Sequence, residues 1–132
     1  MREILFRGKH IRTGEWVYGD LYHIVEDGLM FSAIHTVAEV VDEILDIDPI
    51  TVGQSTGLKD KNGTKIFEGD IIRSYSMLDD VIIHSIQWDD QNASFGLFDK
   101  HGSYSGRICQ AWIDEREKEV IGNIHNNPEL MQ

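Results

Sequence analysis

Residues 51–72 read Thr51-Val52-Gly53-Gln54-Ser55-Thr56-Gly57-Leu58-Lys59-Asp60-Lys61-Asn62-Gly63-Thr64-Lys65-Ile66-Phe67-Glu68-Gly69-Asp70-Ile71-Ile72. Two dipeptides in this stretch decide the fold. Asn62-Gly63 supplies the positive φ angles of a tight type I′ turn at little steric cost. Gly69-Asp70, between the apolar pairs Ile66-Phe67 and Ile71-Ile72, reads as a sharp turn that feeds a strand. A chain bent back this often runs as consecutive extended segments around one apolar interior.

The pattern continues toward the C-terminus. Val81 to Trp88 reads as a strand, Asp89 to Asn92 as a loop, Ser94 to Phe98 as a strand and Lys100-His101-Gly102 as a turn. Ile108, Trp112 and Ile113 share one helical face, so residues 108–118 hold a short helical piece. Glu119 to Ile124 closes the strands. Asn127 before Pro128 predicts an N-cap and a final helical turn. Short strands at this spacing predict a small barrel.

Toward the N-terminus, Glu3 to Gly8 is a candidate strand and Thr13-Gly14 a turn. In Glu15 to Ile24, the aromatics Trp16, Tyr18 and Tyr22 recur at even positions, a period of two that argues strand. Asp27-Gly28 is a strong hairpin signal, with Leu29 to Ile34 as the returning strand. Val37, Val40, Val41, Ile44 and Leu45 fit a helical stripe, yet Ile44 to Asp48 alternates apolar and acidic and Pro49 forces Asp48 toward extended backbone. Irregular or short helical structure to about Glu43, then a strand, is the expectation; helix at 37–43 stays open. Pro49 marks a boundary between a hairpin subdomain, 1–48, and a barrel domain, 49–132.

The length of 132 residues fits one domain or a domain with an appended subdomain, and excludes a TIM barrel, a two-half dinucleotide fold or a protein kinase. Hydrophobic residues at 41% and charged residues at 27% suit a folded soluble chain. Twelve bases against 23 acids give a net charge of −11. The charge is uneven: residues 20–50 carry eight acids and no Lys or Arg. Duplex binding needs clustered Lys and Arg, so nucleic-acid binding is not expected. An acidic face is first of all a solubility device; its sharper use is mimicry of a phosphate backbone. The single Cys109 excludes an intrachain disulfide and a multi-Cys zinc site. No apolar run reaches signal-peptide or membrane-span length, so a cytoplasmic location without membrane contact is expected.

Motif matches fail on context. Gly53-Gln54-Ser55-Thr56-Gly57 fits the nucleophile elbow letter for letter, but that chemistry needs a helix after the serine and here a turn follows. Aligning Gly63 with the invariant glycine of a calcium loop puts Leu58 and Gly69 at the end ligand positions, where neither can ligate. His10, His23, His35, His84, His101 and His125 show no metal-site spacing. Asp79-Asp80 and Asp89-Asp90 fall where turns are expected and Asp is favoured for its own hydrogen bonding. Cys109 lacks a nucleophile signature and reads as a buried small apolar residue. Trp16, Trp88 and Trp112 are the largest apolar units and are expected to anchor the core; an exposed one would be an interface candidate. No catalytic, cofactor-binding or metal-ligating residue is assigned, and no cofactor is expected.

Two blocks carry a resemblance. The stretch 51–72 and Val120-Ile121-Gly122-Asn123-Ile124-His125-Asn126-Asn127-Pro128-Glu129-Leu130-Met131 together resemble the YopX family, small proteins of phages and prophages of mostly Gram-positive bacteria. Phe6-Arg7-Gly8-Lys9 and Gly14-Glu15-Trp16-Val17-Tyr18-Gly19-Asp20 are similar to that family's opening. The resemblance implies a mainly β protein with an SH3-like small β-barrel in the C-terminal half, a mobile-element origin and a bacterial cytoplasm. It carries over no catalytic residue. Family members often have Tyr or Phe where this chain has Ser55, which weakens a serine-nucleophile reading further. The expected function is a non-enzymatic phage accessory protein that works by protein contact, as a homo-oligomer or with a host or phage protein. The alternatives are an acidic nucleic-acid mimic or nucleic-acid-associated protein, and a small enzyme.

Overall fold

The computed structural model describes residues 2–37 and 42–132. The chain divides into two units, Met1–Ser55 and Thr56–Gln132. The protein is mainly β, and its α-helix of six residues, α1 (Gln110–Glu115), is too short to cross a membrane.

The first unit is an antiparallel sheet in the order β4-β3-β2-β1-β5. Its strands are β1 (Phe6–Lys9), β2 (Trp16–Glu26), β3 (Leu29–Val37), β4 (Asp42–Asp46) and the start of β5 (Gly53–Lys59). Alternation in β2 sends Val17 and Leu21 to one face, where Ile34, Ile47, Leu45, Phe6 and Val52 complete a small core. Gly19 is required by a close approach: a Cβ there would stand 2.0 Å from the His35 carbonyl oxygen. Of segment 37–43, Val37 ends β3 and Asp42-Glu43 begin β4; residues 38–41 lie outside the described residues.

The sequence puts the boundary at Pro49, whereas the 3-10 turn Pro49–Thr51 belongs to the first unit. Hydrogen bonds hold it there. The Asp48 carboxylate accepts from Ile50 N at 3.1 Å, Asp48 N donates to the Lys9 carbonyl at 2.9 Å, and Lys9 N donates to Thr51 Oγ1 at 2.8 Å. β5 then pairs with β1, Phe6 opposite Gln54.

In the second unit the rest of β5 pairs with β6 (Lys65–Phe67). The main sheet is antiparallel and five-stranded, in the order β10-β9-β8-β7-β11. Its members are β7 (Asp70–Tyr75), β8 (Val81–Asp89), β9 (Ser94–Phe98), β10 (Tyr104–Arg107) and β11 (Glu119–Asn123). Among the described residues the ladder stays open between β10 and β11, so the sheet is not a closed barrel. Ile66, Ile72, Ile86, Leu97, Ile108 and Ile113 form its core, with Leu58, Phe95, Trp112 and Val120 packed against them.

Of the three tryptophans expected to anchor the core, Trp112 packs against the second core, whereas Trp16 and Trp88 stand outside both clusters. Isoleucine fills both interiors, while Trp88 is 46% exposed. Trp16 lies under the Arg7 guanidinium, 4.4 Å from its ring centroid, and Trp112 under Lys118 Nζ at 4.6 Å. An indole needs a partner for its N–H, whereas β-branched isoleucine packs a pleated surface with no polar debt.

The decisive turn also differs in kind. Gly63 has φ +80° but Asn62 does not have positive φ, so the turn is not type I′. Asp60 organises it: Oδ1 accepts from Asn62 N and Thr64 N, both at 2.9 Å, and Gly63 N donates to the Asp60 carbonyl at 3.0 Å. This is a type I turn followed by a left-handed glycine. At the C-terminus the 3-10 turn Pro128–Met131 forms as expected, but the Asn127 side chain does not cap it. Asn127 Oδ1 instead accepts from Asn123 N at 3.3 Å.

Candidate functional site

The hairpin of β2 and β3 turns at Asp27 and Gly28, with φ of 51° and 76°. This is the type I′ geometry whose twist matches the flanking strands. Its register sets Glu26 opposite Leu29, Ile24 opposite Phe31, Tyr22 opposite Ala33 and Asp20 opposite His35. β4 continues the face, with His35 opposite Ile44 and Ala33 opposite Asp46.

Period two therefore gathers Tyr18, Tyr22, Ile24, Phe31 and Ile44 on one side of the sheet. Tyr18, Tyr22, Phe31 and Ile44 stand exposed there, between 42% and 57%. The Tyr22 ring meets His35 edge-on at 6.1 Å, and His35 Nδ1 lies 4.0 Å from Asp20 Oδ2. On the opposite side the core stops at Leu21 and Ile34. Beyond it the hairpin is bare on both faces: Val25 is 69% exposed, Leu29 63% and Met30 70%. The alternation of Trp16, Tyr18 and Tyr22 revealed the aromatic face; the bare tip carried no signal of its own in the sequence.

The other singled-out residues fall into structural duties. Ser55 is buried within β5 and no helix follows it, so the elbow reading fails. His10 Nδ1 accepts from Arg12 N and Thr13 N and shapes a turn. Asp79 pairs with Arg116 at 3.0 Å, and Asp89 accepts from Gln91 N at 3.1 Å inside its loop. Cys109 is exposed, against the buried role expected of it, because it precedes α1 in extended backbone. Among the described residues no group of three or more His, Cys, Asp or Glu could hold a metal.

Some titrations are displaced. Burial holds His84 below its ordinary value of 6.5, opposed by the Asp99 charge, and its ring meets Trp112 edge-on at 6.4 Å. The Ser103 N–H lowers Asp99, helped by the His101 N–H and by the charges of His101 and His84. Desolvation lowers Lys118, 4% exposed, with Glu115 opposing. These groups brace the second unit. A shallow cleft lined by Tyr75, Asp79, Arg116 and Glu117 is spanned by the Arg116–Asp79 pair.

A family model described as YopX protein matches residues 5–132. The chain belongs to the YopX family. A solved structure, the crystal structure of protein EF1440 from Enterococcus faecalis, is similar at 28% identity and a TM-score of 0.63 over 100% of both chains. No curated protein matches. The match to the YopX family therefore takes in the hairpin face as well as the 51–72 and 120–131 blocks that suggested it.

Proposed function

We propose that this YopX family member is a non-enzymatic accessory protein, of mobile-element origin, that works by protein contact through the β2–β3 hairpin. The observation that supports this reading is the exposure of Val25, Leu29, Met30 and Phe31 together at the hairpin tip. Large apolar side chains left bare in a contiguous group mark contact sites, whereas singly scattered ones need no account. Aromatic side chains supply most of the energy at such contacts.

The test replaces Tyr22 and Phe31 by Ser in one variant. Both side chains are exposed, so the core is untouched. Native and variant chains are immobilised and challenged with extract from cells that express the native protein. A protein recovered by the native chain and lost by the variant is the expected result. Identical recovery by both chains, or recovery of nucleic acid alone, overturns the reading.

A further inference from the structure

We infer that the occupant of the hairpin face is a basic protein segment, with Lys or Arg side chains around an apolar centre, and not a second copy of this chain. This rests on the hairpin being the contact surface. Residues 20–50 hold eight acids and no Lys or Arg. Glu26 and Asp27 stand exposed at the tip beside Leu29, and Asp46 lies on the face of Ile44, two residues along β4. None of these three carboxylates forms an ion pair with another described residue.

Covering the apolar side chains removes water from the carboxylates around them. Desolvated charges are costly unless a partner supplies the opposite charge. A second copy docking face to face would bring the same acids to the same rim, because an isologous contact sets one patch against itself. Like charges brought together oppose such pairing. A basic segment reverses the sign, and its cations also find aromatic rings to cover. The first unit already uses that contact, with Arg7 4.4 Å and Lys9 5.5 Å from the Trp16 centroid. Tyr22 and Phe31 present rings that stand exposed on the face.

The experiment displays a library of random linear peptides and selects against the intact chain. Binding of the recovered peptides is then measured to the native chain, to the Tyr22→Ser/Phe31→Ser variant, and to a Glu26→Gln/Asp27→Asn/Asp46→Asn variant. The oligomeric state of each chain is followed by sedimentation. Expected are peptides rich in Lys or Arg beside aromatic or aliphatic residues, lost with the first variant. The second variant should weaken them at least about tenfold at low salt. Raising salt from about 0.1 M to about 1 M, where the screening length falls from roughly 10 Å to 3 Å, should weaken them too. Neutral or acidic peptides that still need Tyr22 and Phe31 overturn the basic partner and leave the contact surface standing. So does self-association of the native chain that the first variant abolishes. Absence of any binding or association dependent on Tyr22 and Phe31 overturns both.

Discussion

Asp60 is the residue whose loss should cost the second unit most for the fewest atoms removed. It is 7% exposed, and its carboxylate accepts three backbone N–H groups at 2.9 Å each. Two of them, from Asn62 and Thr64, close the turn between β5 and β6. The third, from Val120, ties that turn to β11, whose Val120 packs on the isoleucine core opposite Ile72. Hydrogen bonds to a charged acceptor contribute about 1.5–3 kcal/mol each, and an orphaned buried donor costs a similar amount. On Asp60→Ala, the turn N–H groups regain water and give back most of their share, while the Val120 N–H does not. The expected loss is about 3–4 kcal/mol. Asp60→Asn keeps one oxygen over the turn but sets an amide N–H₂ against Val120 N–H, so it orphans the same donor and costs nearly as much, about 2–3 kcal/mol. At roughly 4–8 °C per kcal/mol for a unit of this size, Asp60→Ala lowers Tm by about 15–25 °C. Urea unfolding followed by Trp fluorescence on a Trp16→Phe background reads the second unit, where Trp88 and Trp112 lie. A loss below about 1 kcal/mol for Ala, or an Asn variant as stable as the native chain, would refute the assignment of Val120 as the decisive bond.

Two further outcomes follow from single contacts. Gly19→Ala puts a Cβ 2.0 Å from the His35 carbonyl oxygen, so β3 must move from β2. Amide hydrogen exchange of Ala33 to His35 should quicken by at least about tenfold, and unchanged exchange would mean the approach is relaxed some other way. His84 is held below its ordinary 6.5 by burial, so below that pH the unfolded chain binds the extra proton and the folded one does not. Its contribution is present above about pH 6.5 and fades as pH falls. The stability gap between the native chain and His84→Gln should therefore narrow between about pH 7.5 and 5; a constant gap in urea titrations contradicts it.

Much of the strand order was legible because turn residues punctuate it. Asp27-Gly28, Asn62-Gly63, Gly69-Asp70 and Gly102 each sit where the chain reverses. The mechanism of those reversals was less legible. Three loops of the second unit share one design. Asp60, Ser76 and Asp99 each accept, through a side-chain oxygen, the N–H groups two and four residues on. In each the fourth residue, Gly63, Asp79 or Gly102, has positive φ. The spacing of an Asp or Ser three residues before a Gly or Asp would have revealed it, since short polar side chains that mimic a backbone turn prefer that first position. Trp16 and Trp88 misled because volume was taken for burial. Central strands such as Val81 to Trp88 are apolar at both parities, so neither face announces which side chain goes inward.

The hairpin face shows where a sequence stops informing. Val25 and Met30 are as apolar as Val17 and Ile34, and the same alternation places them on the same side. What separates them is distance from Ile47 and Phe6, the residues that close the first core. Coverage is thus set by how far neighbouring elements reach, which local pattern does not encode. The length of the hairpin then has a consequence. A two-stranded ribbon without a core behind it is marginal. Here a type I′ turn and the cross-strand pair of Ile24 and Phe31 hold the uncovered half in register with the covered half. On the proposed contact, a backbone already held in register would not cost the ordering entropy that a flexible loop would lose. On the proposed reading, an uncovered and acid-rimmed ribbon would turn exposure from an aggregation hazard into a selective contact, because its carboxylates would repel its own copies and favour a partner of opposite charge.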